Sequence, residues 1–68
     1  MQTLVFNTTT KTVTLYSSSR MNGSIIETFY SVPTVKIEGN YYQVMQEIEE
    51  RVPVMRVPVS NTNMIIEK

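Results

Sequence analysis

Five residue types are missing from this sequence: cysteine, histidine, aspartate, alanine and tryptophan. Without cysteine there is no disulfide framework, no thiolate nucleophile and no cysteine-based zinc site. Without histidine the chain lacks the commonest metal ligand and the usual acid–base group near neutral pH. Without aspartate it also lacks a common partner in nucleophilic triads and the main ligand of calcium loops. Glycine occurs only as Gly23 and Gly39, too few for a Gly-rich phosphate loop. No apolar run approaches the ~20 residues that span a bilayer as a helix. Met1 to Thr10 has no basic region followed by an apolar core, so no signal peptide is expected. Neither sign of charge dominates: six Lys and Arg balance six acidic residues, all glutamate. Nucleic-acid modules usually carry a basic excess, because phosphate contacts supply most of their affinity, so nucleic acid is not the expected partner. The missing cysteines fit a reducing compartment, and a soluble cytoplasmic protein without cofactor is the expectation.

The chain has 68 residues, enough for one small domain at most. A chain this short buries a smaller fraction of its surface than a larger one, so its stability margin is thin. Disulfides, metals and self-association are the usual remedies. The composition leaves association open, and a homo-oligomer is expected.

What the chain has in quantity is Val, Ile and Thr, 24 residues together. Branching at Cβ stiffens the side chain and suits a pleated surface, and alanine, the best helix former, is absent. Residues Thr3 to Phe6 and Thr12 to Tyr16 alternate, with Asn7-Thr8-Thr9-Thr10 between them as a hairpin loop. Pairing Leu4 with Val13 would make the two apolar faces coincide. Ser17 to Ser24 is polar and reads as a loop, in which Asn22-Gly23 could form a tight turn. Ile25 to Val32 reads as a strand with apolar groups on both faces, central or partnered, and Pro33 interrupts it.

The best local signal is Val35-Lys36-Ile37-Glu38, then Gly39-Asn40, then Tyr41-Tyr42-Gln43-Val44. Gly-Asn is a two-residue hairpin turn, which sets Glu38 against Tyr41 and Val35 against Val44. Val35, Ile37, Tyr42 and Val44 then share one face, and Lys36, Glu38, Tyr41 and Gln43 the other. Residues 46–51 allow one helical turn, through a Glu47–Arg51 i,i+4 pair, or a short polar loop between strands. The loop is expected, because such connections are common. Val52 to Val59 carries Val-Pro-Val twice, five residues apart. An odd spacing turns the copies to opposite faces of a regular strand, which predicts a bulge or bend between them. Two prolines predict a sheet edge. Ser60 to Asn63 reads as a turn and Met64-Ile65-Ile66 as a short last strand. The expected fold is all-β: a small, largely antiparallel sheet or barrel of six or seven strands.

Catalytic chemistry finds little footing. The glutamates read as solvated surface charges rather than a paired acid and base. Glu47, Glu49 and Glu50 cluster without calcium-loop spacing. Asn7-Thr8-Thr9 and Asn22-Gly23-Ser24 match the glycosylation pattern, which is idle without secretion. Recognition surfaces remain. The outer face of the central hairpin (Lys36, Glu38, Tyr41 and Gln43), with Arg20 and Arg56, is the expected partner-binding set. Tyrosine and arginine combine contact area with polar reach. The same residues could instead be ordinary cover on a second sheet face. Lys36, Tyr41 and Arg56 also imitate, weakly, the aromatic and basic mix of single-strand readers. Met64, Ile65 and Ile66 are the expected oligomer interface, since a terminal apolar strand can complete its own barrel or extend a neighbour's sheet.

As a whole, this compact frame is rich in Asn, Ile, Thr, Tyr, Lys and Met, and it lacks Ala, Cys, His and Trp. It resembles the short proteins encoded by phages and prophages of low-GC bacteria. The resemblance lies in composition and transfers no site residue. It implies binding and blocking of a host enzyme or defence factor, or sequestration of a small nucleotide. A small-barrel nucleic-acid binder and a virion or assembly component are the other readings.

Overall fold

The computed structural model describes residues 1–18, 20, 23–48 and 50–68. Among these residues seven strands form two sheets: β1 (Gln2–Asn7), β2 (Thr12–Tyr16), β3 (Ile25–Phe29), β4 (Thr34–Glu38), β5 (Tyr41–Glu47), β6 (Arg51–Pro58) and β7 (Thr62–Glu67). The first sheet has the order β3-β2-β1-β7 and the second β4-β5-β6. A 3₁₀ turn, Val59–Asn61, joins β6 to β7. The protein is all-β, and among the described residues no helix is long and apolar enough to cross a membrane.

The sheets meet through Leu4, Phe6, Val13 and Leu15 of the first and Val44 and Val57 of the second, with Val32 between them. Alternation along each strand sends these residues to one face. Burying each large aliphatic side chain contributes about 1.5–3 kcal/mol. β1 is central in its sheet, so Thr3 and Val5 on its other face are buried as well. Thr3 uses its position to hold the β2–β3 loop: its hydroxyl donates to the Ser18 carbonyl at 2.8 Å.

The central hairpin has the expected register, from Glu38↔Tyr41 to Val35↔Val44. Gly39 takes the positive φ of 60° at the first turn position. The first hairpin differs by two residues: Leu4 faces Leu15, not Val13, and Phe6 faces Val13. The cause is the turn. The Asn7 side chain accepts from the Thr9 and Thr10 amides, and Lys11 closes the loop at φ 56°. Four residues, 8–11, are thereby consumed. A shift of two leaves the faces unchanged.

Among the described residues of 46–51 there is no helical turn. β5 runs to Glu47, β6 begins at Arg51, and the two residues face each other across the hairpin mouth with an ion pair of 3.1 Å. Their i,i+4 spacing thus serves a hairpin. The bulge expected in β6 falls at Val54, since Met55 faces Val44 while Pro53 faces Met45. β6 is an edge strand, as its prolines imply.

Three expectations change. Of the two readings of β3, central or partnered, the central one fails: it is an edge strand, and it stops at Phe29. Ser31 turns into the left-handed region at φ 56°, and Val32 leaves the ladder for the core. Residues 30–32 become a strap between the sheets. The Tyr30 carbonyl accepts from Gln46, the Ser31 carbonyl from the Glu47 amide, and the Val32 amide donates to the Lys11 carbonyl. The last strand begins at Thr62, within the segment read as a turn, and pairs parallel with β1. A parallel pair needs a long crossover, and here the remaining strands supply it in place of a helix. Asn22 of the expected Asn22-Gly23 turn, and Glu49, lie outside the described residues.

Candidate functional site

The outer face of the second sheet gathers five of the six residues expected to bind a partner. Lys36, Gln43 and Arg56 form one row across β4, β5 and β6, and Glu38, Tyr41 and Pro58 form the next. The two-residue turn and the antiparallel register place them there. The bulge at Val54 lies beyond Arg56 along β6, so it leaves both rows intact.

The residues are not equivalent. Tyr41 is 47% exposed, whereas Gln43 is only 5% exposed and is not a free contact. Its neighbours close over it. With the amide nitrogen donating to Glu38 Oε2 at 2.7 Å, the amide oxygen accepts from Arg56 Nη2 at 3.2 Å and Nε at 3.3 Å. A neutral amide thereby links a carboxylate to a guanidinium that stand one row apart. Hydrogen bonds to charged groups are stronger than neutral ones. Gln43 is a positioning residue for the two charges, and the surface presented outward is Tyr41, Pro58, Lys36, Glu38 and Arg56.

Arg20 is not part of this group. It sits exposed in the β2–β3 loop of the other sheet, where its carbonyl accepts from the Ser18 hydroxyl at 2.7 Å. The expected oligomer strand is also separate. Met64 packs against the core, Ile65 is half-buried on the outer face of the first sheet, and Ile66 is 64% exposed.

A cleft of about 450 Å³ opens at the opposite end of the second sheet, lined by Lys11, Ser31, Pro33, Glu47, Ile48 and Arg51. Sequence reasoning missed it, because two hairpin loops and the strap meet there only in three dimensions. Lys11 and Ser31, the two left-handed non-glycine residues among the described ones, line it. Their strain is explained by the strap's hydrogen bonds, which fix the Lys11 and Ser31 carbonyls. Among the described residues no group of three acidic side chains converges as a metal site. No family model, curated protein or solved structure matches the chain.

Proposed function

We propose that the protein is a noncatalytic protein-binding module that occludes a site on another protein, in the manner of phage-encoded inhibitors of host enzymes or defence factors. The observation that carries this reading is the surface built around Gln43. Tyr41 stands exposed beside Pro58, while Glu38 and Arg56 are held by the amide between them. Side chains ordered before the partner arrives lose less freedom on binding. Tyr and Arg are also the residues that most often dominate interface energetics. Lys36 and Arg56 against Glu38 give the face a local formal charge of +1, suited to a mildly acidic partner surface. The compositional resemblance supports the inhibitor class. With no Cys, His or Asp in the chain, recognition is the chemistry these side chains can offer.

The test is a photo-crosslinking side chain at position 41, with one at position 28 on the outer face of the first sheet as control, expressed in a bacterial host. A discrete protein adduct should form from position 41 and not from 28. Tyr41→Ala should then lower affinity for that protein by at least about tenfold, or 1.4 kcal/mol, with the melting curve unchanged. Equal labelling from both positions, or none from 41, defeats the reading.

A further inference from the structure

We infer that β7 pairs with β7 of a second copy, in antiparallel fashion about a two-fold axis at Ile65, so that two four-stranded sheets join into one. The inference stands apart from the sheet-two surface and does not depend on it.

The backbone supplies the first reason. The Glu67 carbonyl accepts from the Thr8 amide at 2.9 Å, so Glu67 turns its polar groups toward β1. Alternation then directs Asn63 and Ile65 to β1 as well, and sends the N–H and C=O of Met64 and Ile66 to the open side. β7 is the end strand of its sheet, and among the described residues no backbone partner reaches that side.

The second reason is that the other edges are obstructed. β6 carries Pro53 and Pro58. Val59 donates to the Asn40 carbonyl at 2.9 Å, which turns Val57 toward β5 and leaves Pro58 with its missing N–H at the open side. β3 is bulged opposite Leu15 and Tyr16. β4 carries Lys36 and Glu38 among its five residues. From Thr62 to Ile66, β7 has no proline, no charge and no bulge. These are the devices by which natural edges avoid strand addition, and the Thr62–Ile66 stretch of β7 lacks all of them, with one charge, Glu67, at the end of the strand.

The third reason selects the occupant. A two-fold axis at Ile65 places Met64 opposite Ile66 of the second copy, and both residues on each chain turn their backbone groups into the junction. Exposed Ile66 gains an apolar neighbour on the side of the sheet it already occupies. Glu67 meets Asn63 and Lys68 meets Thr62, so no like charges face each other. The Thr62 hydroxyl is buried and has no hydrogen-bond partner among the described residues. The chain's net charge of zero adds no long-range repulsion between copies. The contact is isologous and uses both open edges, so it closes at two chains.

The test is the mass of the 7.8 kDa chain over a wide concentration range, by sedimentation equilibrium. The natural chain should reach twice its monomer mass. Ile66→Pro removes an N–H that points into the junction and spares the β1 ladder, so it should halve the mass with the β spectrum kept. Ile66→Lys, an edge charge, should do the same, and it decides the matter if the proline variant misfolds. A natural chain that stays monomeric up to about 1 mM, the weak end of specific association, overturns the inference. So does a folded Ile66→Lys variant that remains dimeric.

Discussion

Two edges of this molecule face the same hazard and answer it differently. β6 and β7 follow one another along the chain, each ends its own sheet, and each turns alternate backbone groups to the open side. On β6 the outward position is held by Pro58, which has no N–H to offer, with Arg56 beside it and a bulge at Val54. On β7 the corresponding position is Ile66, with a free N–H and an exposed apolar side chain. A protein that protects one edge so fully and leaves the other bare has distinguished between them. Guarding β6 also preserves the sheet-two outer face, because Arg56 and Pro58 belong to both the edge and the surface around Tyr41. In a dimer joined through β7, that face remains open on each copy.

The largest effect should come from erasing the difference. Replacing Pro53 and Pro58 together with Val and Thr restores two N–H groups and makes β6 a second addition site. A chain with two open edges on different sheets need not close at two copies. Pairing of unlike edges gives an open series. The double variant should therefore form large assemblies at concentrations where the natural chain keeps a small fixed mass, as light scattering would show. A variant that keeps the natural mass would mean the prolines are incidental to the edge.

A smaller and more pointed effect should separate neighbours on β7. Ile65→Pro removes an N–H that belongs to the β1–β7 ladder, whereas Ile66→Pro removes one that faces outward. An orphaned carbonyl in a central strand costs about 1–3 kcal/mol, and a domain of this size has little to spare. Denaturant unfolding should show Ile65→Pro strongly destabilised. Ile66→Pro should lose little beyond the contribution of the second copy. Equal losses would mean that the alternation along β7 is opposite to that implied by the Glu67 carbonyl.

How much of this could be read from the chain depends on how local each cause is. The register from Val35 to Val44 was fully legible, because a Gly-led two-residue turn permits no other. The first hairpin was legible in its faces but not its pairing. The Asn7 side chain and the left-handed Lys11 set the turn length, and composition does not reveal either. The edge position of β6 followed from its prolines. The end of β3 at Phe29 was hidden because Ser31 carries no sequence mark of positive φ. The parallel β1–β7 pair was hidden because no local signal joins segments at opposite ends of the sequence. For the candidate site, one hairpin and a proline-marked edge sufficed to gather Lys36, Glu38, Tyr41, Gln43 and Arg56. The burial of Gln43 was not legible, since the side chains that flank it, Glu38 and Arg56 among them, come from both neighbouring strands and meet only in the folded sheet.

The smallest effect belongs where the guarded edge begins. Glu47 and Arg51 pair at 3.1 Å across the β5–β6 mouth, with side chains 52% and 58% exposed. In water such a pair contributes about 0.2–1 kcal/mol, and salt screens it. Glu47→Gln should lower stability within that range, and the loss should shrink in high salt. The hairpin itself is held by the Glu47 amide bond to the Ser31 carbonyl and by the ladder between β5 and β6, neither of which needs the carboxylate. The edge should therefore stay guarded, with the solution mass of Glu47→Gln equal to that of the natural chain. A rise in mass would mean the ion pair, and not the prolines further along β6, keeps that edge from a neighbour.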